Sequence, residues 1–199
     1  MSTSDSDPIL DSIRAIDKPL CRQCLISPGP IDRSRAIGAY DGALAAIIHA
    51  LKYDARRSLA RQLGDRMRAR GAEVLREAAC VVPVPLHPSR RRQRGFNQAA
   101  DLARHVGLPV VHALRRVRAT TTQTHLSATE RRLNLKTAFV ASRAADSLTG
   151  STVVLIDDVS TTGATLEECA LTLKAAGVRE VRALTAARVV RAAAARSMR

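Results

Sequence analysis

The amino-acid sequence predicts an α/β fold in which a parallel sheet is flanked by helices. Short apolar runs alternate with segments of helical periodicity, and this alternation is typical of βαβ units. Residues 152–156 form a continuous apolar run followed by two carboxylates, as expected of a central parallel strand covered on both faces. At 199 residues the chain is long enough for one domain with its own core.

Residues 1–38 are predicted to form a short N-terminal arm, because they are polar and prolines interrupt any periodicity. The domain is expected to occupy residues 39–190, and a basic tail follows at residues 191–199. Helical spacing begins behind an N-cap at Asp41. Its apolar residues are Leu44, Ile47, Ile48 and Leu51, and the pattern continues at Leu59, Leu63 and Met67.

Residues 81–86 are apolar and β-branched, which predicts a short strand. Pro83 and Pro85 confine this strand to the margin of the sheet or mark its end. A loop is expected next, then a helix that ends near Gly107, and then a short strand at residues 110–111. The apolar residues of this helix are Ala99, Leu102, Ala103 and Val106.

Residues 118–124 lack an apolar period and are predicted to form a loop, while Ser127 and Glu130 fit a capping box that opens a short helix. Residues 138–140 and 181–187 predict further strands. The helix after the central strand has one apolar stripe and is closed by Gly177. The stripe consists of Leu166, Cys169, Ala170 and Leu173.

The charge is strongly positive and unevenly distributed. The 32 Lys and Arg exceed the 18 Asp and Glu, and the formal net charge of +14 favours polyanionic partners. Residues 90–132 contain ten arginines and only two acids, Asp101 and Glu130. This concentration predicts an anion-binding surface, and the alternative is an ordinary surface that uses arginine in place of lysine.

The sequence argues against nucleic-acid binding by base stacking and against a membrane-spanning or secreted protein. With two Phe, two Tyr and no Trp, the chain has few platforms on which nucleic-acid bases could stack. No stretch approaches the ~20 apolar residues of a membrane span, and residues 1–7 are polar and acidic, unlike a secretory signal. We therefore expect a cytoplasmic protein.

The strongest candidate site follows the apolar run at residues 152–156. Asp157 and Asp158 come first, and a segment rich in hydroxyl groups then leads into a helix. This segment consists of Ser160, Thr161, Thr162, Gly163, Ala164 and Thr165. Ligands of open α/β sheets bind at the carboxyl ends of strands, and helix N-terminal N–H groups suit a phosphate. The two carboxylates can accept hydrogen bonds from a ribose diol, directly or through Mg²⁺.

Three other interpretations of this segment are less well supported. A P-loop ATPase also has an apolar strand followed by acids, but the chain contains no Gly-Lys dipeptide. A nicotinamide-binding fold is disfavoured because no G-x-G-x-x-G is present. In a purely structural interpretation, Asp157 and Asp158 begin a turn and Thr161 or Thr162 caps the helix. A simple cap needs neither paired acids nor four hydroxyls.

Residues 153–165 resemble the phosphoribosyl-pyrophosphate (PRPP) binding motif of type I phosphoribosyltransferases. Other motifs, in order over roughly residues 20–188, resemble the ComF family. These motifs are Tyr40-Asp41-Gly42, Leu51-Lys52-Tyr53, Val82-Pro83-Val84-Pro85-Leu86-His87, Arg94-Gly95-Phe96-Asn97-Gln98, Arg118-Ala119-Thr120-Thr121-Thr122-Gln123, Glu130-Arg131-Arg132-Leu133-Asn134 and Ala138-Phe139. The resemblance implies a type I phosphoribosyltransferase-like fold, similar to that half of amidophosphoribosyltransferases, and a link with DNA uptake in natural competence.

The resemblance also implies roles for individual residues. Asp157 and Asp158 would hold the ribose hydroxyls and, through the ligand, Mg²⁺, while residues 160–165 would hold the 5′-phosphate. Leu86 and His87 correspond to the turn that faces pyrophosphate, although His87 is equally consistent with an ordinary loop histidine. A mobile loop would close over the ligand, and its arginines would neutralise leaving-group charge. The residues on or beside this loop are Arg118, Thr120, Gln123 and Arg131 or Arg132.

The roles of two further segments are not decided by the sequence. Arg90, Arg91, Arg92 and Arg94 are candidates for nucleic-acid phosphates, whose binding depends strongly on salt. In the segment that follows, Asn97 or Gln98 can simply cap the next helix while Phe96 enters the core.

Cysteine usage departs from the ComF pattern. Members of the family often begin with a zinc module built from two Cys pairs, whereas this chain has only Cys21 and Cys24 in its arm. Four tetrahedral ligands are therefore not available locally, and Zn²⁺ would need ligands from elsewhere. Cys80 and Cys169 are predicted to be buried packing residues.

Three functions are compatible with these observations. The first is a PRPP-motif protein that handles incoming single-stranded DNA along residues 90–132, with a DNA-uptake helicase as partner and a homodimer as assembly. The second is an active phosphoribosyltransferase of nucleotide salvage, in which an unidentified acceptor displaces pyrophosphate. The third is a regulator that senses PRPP or a ribose-5-phosphate-like ligand without turnover.

Overall fold

The structure, a computed structural model, describes residues 29–53, 56–118 and 138–190. In chain order the elements are β1 (Arg33–Ala39), α1 (Gly42–Tyr53), α2 (Leu59–Arg70), α3 (Ala72–Leu75), β2 (Cys80–Pro83), α4 (Pro88–Arg94), α5 (Gln98–Ala103), β3 (Leu114–Arg116), β4 (Phe139–Ala141), a 3-10 helix (Arg143–Leu148), β5 (Thr152–Ser160), α6 (Ala164–Ala175) and β6 (Glu180–Arg188). None of the helices in these three ranges is both long enough and apolar enough to cross a membrane.

Four parallel strands form the main sheet, in the order β1-β6-β5-β2. The two longest strands, β5 and β6, lie in its centre and have nine residues each. Strand β2 lies at the margin and ends at Pro83, as predicted from its prolines. The strand predicted at residues 110–111 is reduced to one parallel bridge between Val110 and Val81. The predicted α/β class, with a parallel sheet flanked by helices, is confirmed.

Two segments differ from the sequence prediction. Strand β1 lies inside the segment predicted as an arm, so the sheet begins before residue 39. Its first residues are exposed and polar, and only its last three are buried, so the strand has no clear apolar period. Helix α4 replaces the loop predicted after β2, with Pro88 in its first turn and Gly95 ending it at φ +75°. None of its seven residues is buried, so no apolar stripe reveals it.

Alternation along β5 divides the core into two layers. Val154 and Ile156 pack with α1 and α2, whereas Val153 and Leu155 pack on the opposite face with α6 and β4. All four side chains are fully buried. The strand predicted at residues 138–140 is present as β4, but it pairs antiparallel with β3 outside the main sheet. Because side chains alternate along a strand, the residues that follow Ile156 are directed toward different layers.

Candidate functional site

The candidate phosphate-binding loop connects the central strand to α6. Strand β5 ends at Ser160 and α6 begins at Ala164, so residues 160–165 lie at the carboxyl end of the strand. Gly163 adopts φ +83°, a left-handed conformation that glycine reaches without strain. The N–H of Glu167 donates to the Gly163 carbonyl over 2.9 Å. The N–H groups of the residues before Glu167 therefore have no acceptor within the helix. These groups and the positive end of the helix dipole suit an anion.

The carboxylate pair lies on strand β5 and not after it. The strand extends to Ser160 instead of ending at residue 156, because it continues to pair with β6, where Asp157 lies opposite Thr185. The Asp158 N–H donates to Asp157 Oδ1 over 2.9 Å. Strand alternation nevertheless directs Asp158 toward α1 and Asp157 toward the layer that contains α6 and β4.

Lys52, in the last turn of α1, forms an ion pair with Asp158. Its Nζ lies 3.1 Å from Asp158 Oδ1, and the two side chains are only 17% and 12% exposed. Partial removal from water makes this attraction stronger than that of a surface pair. Lys52 is absent from the predicted site residues, although one signal marks it: only four of the 32 basic residues are lysines.

Asp157 occupies an unfavourable position for a negative charge. Its carboxyl group is largely removed from water, although the residue as a whole is half-buried. This burial, and secondly the charge of Asp158, raises the pKa of Asp157 from 3.8 to about 7. The hydrogen bond from the Asp158 backbone and the charges of Lys52 and Arg116 act in the opposite direction. Asp157 therefore takes up a proton at a higher pH than an exposed carboxyl group does.

Arg116, on β3, brings positive charge to Asp157. Its guanidinium carbon lies 5.3 Å from the centroid of the Phe139 ring, and the residue is half-buried. Burial lowers the pKa of Arg116, and the positive charge of Arg90 lowers it further. Arginine remains charged in spite of such a shift, so Arg116 and Arg90 both contribute positive charge here. Arg116 is not among the predicted site residues, although it belongs to the arginine-rich region at residues 90–132.

Leu86 and His87 follow β2, the strand that pairs with β5. Because parallel neighbours end at the same edge of a sheet, both residues lie at the edge that carries the carboxylate pair. His87 caps α4, since its Nδ1 accepts the Ser89 N–H over 3.3 Å and lies 2.7 Å from Ser89 Oγ. A neutral ring that accepts at Nδ1 carries its proton on Nε2. Nε2 is therefore the nitrogen of His87 that can donate to a ligand.

The arginines of α4 do not form one continuous surface. Arg91 and Arg92 are exposed, whereas Arg90 is half-buried. Arg94 lies against the Tyr53 ring of α1, with its guanidinium carbon 5.0 Å from the ring centroid. The predicted nucleic-acid contacts of this helix are thus divided between two exposed residues and two that face other parts of the protein.

Several other residues have the structural roles considered as alternatives. Asn97 caps α5, where its Oδ1 accepts the Ala99 N–H over 3.1 Å, and its Nδ2 donates to the Val84 carbonyl over 3.0 Å. Phe96 is in the core and 8% exposed. Cys80 and Cys169 are buried free thiols, as predicted.

Other predicted residues lie at the limit of the described segments or outside them. Arg118 is exposed and is the last described residue of its segment. Three groups of predicted residues lie outside the described ones: Thr120, Gln123, Arg131 and Arg132 of the closing loop, Ser127 and Glu130 of the capping box, and the cysteine pair Cys21 and Cys24. Within residues 29–53, 56–118 and 138–190, no group of three or more His, Cys, Asp and Glu side chains is arranged to hold a metal.

Known proteins resemble this chain in sequence and in structure. The phosphoribosyl transferase domain family matches residues 92–197. Competence protein F of Haemophilus influenzae is 36% identical over 171 residues, which cover 81% of this chain and 75% of that protein. DNA utilization protein YhgH of Salmonella typhimurium is 36% identical over 164 residues, which cover 75% of this chain and 69% of that protein. The solved allosteric regulatory enzyme of purine biosynthesis is 25% identical, with a TM-score of 0.41, over 64% of this chain and 25% of its own.

The domain match includes β5, the loop at residues 160–165 and α6, which together make up the candidate site. The match to competence protein F extends over most of both chains. The chain therefore belongs to the ComF family of phosphoribosyltransferase-domain proteins.

Proposed function

We propose that this competence-related protein binds PRPP, or a related ribose-phosphate, with Mg²⁺ at the carboxyl end of β5. The observation that supports this most directly is the carboxylate pair on β5, followed within a few residues by the N-terminus of α6. We assign the 5′-phosphate to residues 160–165, whose backbone N–H groups and hydroxyls can donate to it, while the Ala164 N–H also donates to Thr162 Oγ1 over 3.4 Å. We assign the ribose hydroxyls to Asp157 and Asp158.

The carboxylate pair fits Mg²⁺ only together with a bound ligand. Mg²⁺ prefers octahedral oxygen ligands and usually binds one or two carboxylates plus phosphates and water. Asp157 and Asp158 supply such oxygens, but Lys52 already contacts one of them, so the ligand and water must complete the shell. When bound, Mg²⁺ would neutralise charge on the ligand's phosphates. Because Asp157 holds its proton near neutral pH, we expect binding of the magnesium complex to release that proton.

We assign the diphosphate of PRPP to the positively charged side of the site. His87 lies at the same sheet edge and can donate from Nε2, and Arg116 brings charge near Asp157. Arg118 and Arg131 are proposed to act from the segment between β3 and β4. If the protein is a transferase, the acceptor forms a bond to the anomeric carbon while the bond to pyrophosphate breaks, and these arginines stabilise the departing charge.

A thermal-shift titration with PRPP and Mg²⁺ tests the site. At a ligand concentration 100 times Kd, binding adds about 2.7 kcal/mol, or roughly 5–10 °C in Tm for a chain of this size. Asp157→Asn/Asp158→Asn should abolish the shift, measured against its own ligand-free Tm. The exposed pair Asp65→Asn/Asp146→Asn is the matched control and should keep the shift. Equal shifts in both double variants would contradict the assignment.

Turnover is tested separately from binding. A phosphoribosyltransferase of nucleotide salvage should release pyrophosphate from PRPP in the presence of a purine or pyrimidine base. A PRPP shift without pyrophosphate release from any common base would favour the sensing function. We place either function in the cytoplasm, since the free buried thiols Cys80 and Cys169 agree with a reducing compartment.

We also propose that the protein contacts single-stranded DNA through Arg91 and Arg92. Both are exposed, and the names of two relatives connect those proteins with competence and DNA utilization. Each phosphate contact contributes a slope of about −0.7 to the dependence of log K on log salt for a single strand. Arg91→Glu/Arg92→Glu should weaken binding and lower this slope by about 1.4, whereas the exposed control pair Arg70→Glu/Arg143→Glu should not. The same slope in both variants would exclude the proposed contacts.

A further inference from the structure

We infer that Tyr53 and Arg94 form a stacking platform for an unpaired nucleobase beside the candidate site. The inference concerns a base-binding position that the proposed ribose-phosphate site does not include. It deepens the proposed DNA contact, because stacking adds recognition of bases to contacts with phosphates. The sequence contains few aromatic residues, which argues against base stacking. The exposed position of Tyr53 changes that expectation.

Tyr53 differs from the other aromatic residues in its exposure. All four Phe and Tyr residues lie in the described segments, and Phe96 and Phe139 are 8% and 4% exposed. Tyr40 is partly buried against the core. Tyr53 is 62% exposed at the C-terminal end of α1. Tyr53 is thus the one Phe or Tyr ring exposed to solvent within these ranges, and it lies next to Lys52.

The Tyr53 ring is held in place although it is exposed. The Arg94 guanidinium carbon lies 5.0 Å from the ring centroid, and Arg94 Nη2 donates to Tyr53 Oη over 3.3 Å. The His49 ring lies on the same helix, 4.7 Å away between centroids and tilted by 41°. These contacts restrict the rotamers of Tyr53 before any ligand binds, which reduces the entropy lost on binding. A restrained ring and a planar guanidinium are both surfaces on which bases stack.

The platform adjoins the candidate site through both of its supporting helices. Lys52 precedes Tyr53 in α1, and its Nζ is 3.1 Å from Asp158 Oδ1. Arg94 ends α4, which begins after His87 at the sheet edge that carries the carboxylate pair. Arg91 is exposed on the same short helix. A base on the platform would therefore have positive charge available for its phosphate and a ribose-binding site nearby.

Binding of oligonucleotides with and without bases tests this inference. The probes are a labelled thymidine 12-mer and an abasic 12-mer with the same number of phosphates. Wild type should bind the thymidine strand about tenfold more tightly, the value expected for one stacked base. Tyr53→Phe should retain this preference because its ring stacks equally well, and Tyr53→Leu should lose it while binding the abasic strand as wild type does. Equal affinity of wild type for both strands would overturn stacking of strand bases.

Tyrosine fluorescence distinguishes a base in a strand from a free base. In a Tyr40→Phe background Tyr53 is the one remaining tyrosine, and the chain has no Trp. Quenching by the thymidine strand but not by free adenine or thymine would assign the platform to nucleic acid. Quenching by free bases would assign it to a base that serves as acceptor. No quenching by any of these probes would refute the platform.

The platform and the ribose-phosphate site can fail independently. In Asp157→Asn/Asp158→Asn, loss of the PRPP shift with retention of the thymidine preference would leave the platform intact. A normal PRPP shift in a wild-type protein that does not distinguish the two strands and shows no quenching would remove the platform and leave the proposed site.

Discussion

Substitution of Asp157 by Asn should make the protein more stable at high pH. The carboxyl has a pKa of about 7 in the folded protein against an ordinary value of 3.8. Below pH 4 the Asp157 carboxyl is protonated in both the folded and the unfolded protein. As the pH rises, the unfolded protein releases this proton first. The free energy of unfolding therefore falls until the folded protein also ionises near pH 7. At about 1.36 kcal/mol for each pH unit, the loss is at most about 4 kcal/mol. Because Asp157 is only half-buried, we expect about 2 kcal/mol.

Asparagine keeps the shape of the side chain and the oxygen that accepts the Asp158 N–H, but it cannot ionise. The advantage of Asp157→Asn over wild type should therefore grow by about 2 kcal/mol between pH 4 and pH 8, or roughly 4–8 °C in Tm. Thermal unfolding followed by circular dichroism at constant ionic strength measures this difference. Asp146→Asn, at an exposed position, is the control and should show a constant difference. An Asp157→Asn variant that gains nothing at pH 8 would refute the electrostatic account of the pair.

Three other predictions concern the ion pair, the core and the loop. Lys52→Met leaves Asp158 without its cation and should lower the free energy of unfolding in urea by about 2 kcal/mol. Adding Asp158→Asn should restore most of this loss. An unchanged urea midpoint in Lys52→Met would show that the ion pair contributes nothing to stability. Leu155→Ala, in the fully buried centre of β5, should cost about 2–5 kcal/mol by the same measurement, and a value below about 1 would mean that the two layers can collapse around the cavity. Gly163 and its control Gly150 adopt φ +83° and +74°, so Gly163→Ala and Gly150→Ala should each lower the free energy of unfolding by about 1 kcal/mol. Only Gly163→Ala should weaken the PRPP-induced shift in Tm.

The candidate loop could be predicted from sequence because all of its parts are local. The apolar strand, the two acids, the hydroxyl-rich turn and the next helix are consecutive, and each leaves a pattern of polarity or periodicity. Strand β1 and helix α4 leave no such pattern. β1 is held in the sheet by pairing with β6. Helix α4 begins after its capping residue His87 and ends at Gly95.

The environment of the two acids could not be predicted in this way. Lys52 reaches Asp158 because α1 packs on one face of β5, and Arg116 acts on Asp157 from the opposite layer. These pairings join segments that are distant in the chain, and hydrophobic spacing reports only which face of a helix is buried. It does not report which polar side chain at the end of that helix meets a given carboxylate.

The amino-acid sequence alone determined the α/β class, the position of the acid and hydroxyl segment and the ComF resemblance. These properties depend on burial patterns and on residue types that are neighbours along the chain. The tertiary structure decided that Asp157 and Asp158 face different layers, that burial raises the pKa of Asp157 while Asp158 is paired with Lys52, and that Tyr53 is exposed beside Arg94. Such properties depend on desolvation and on charges brought together by packing, which have no local signature.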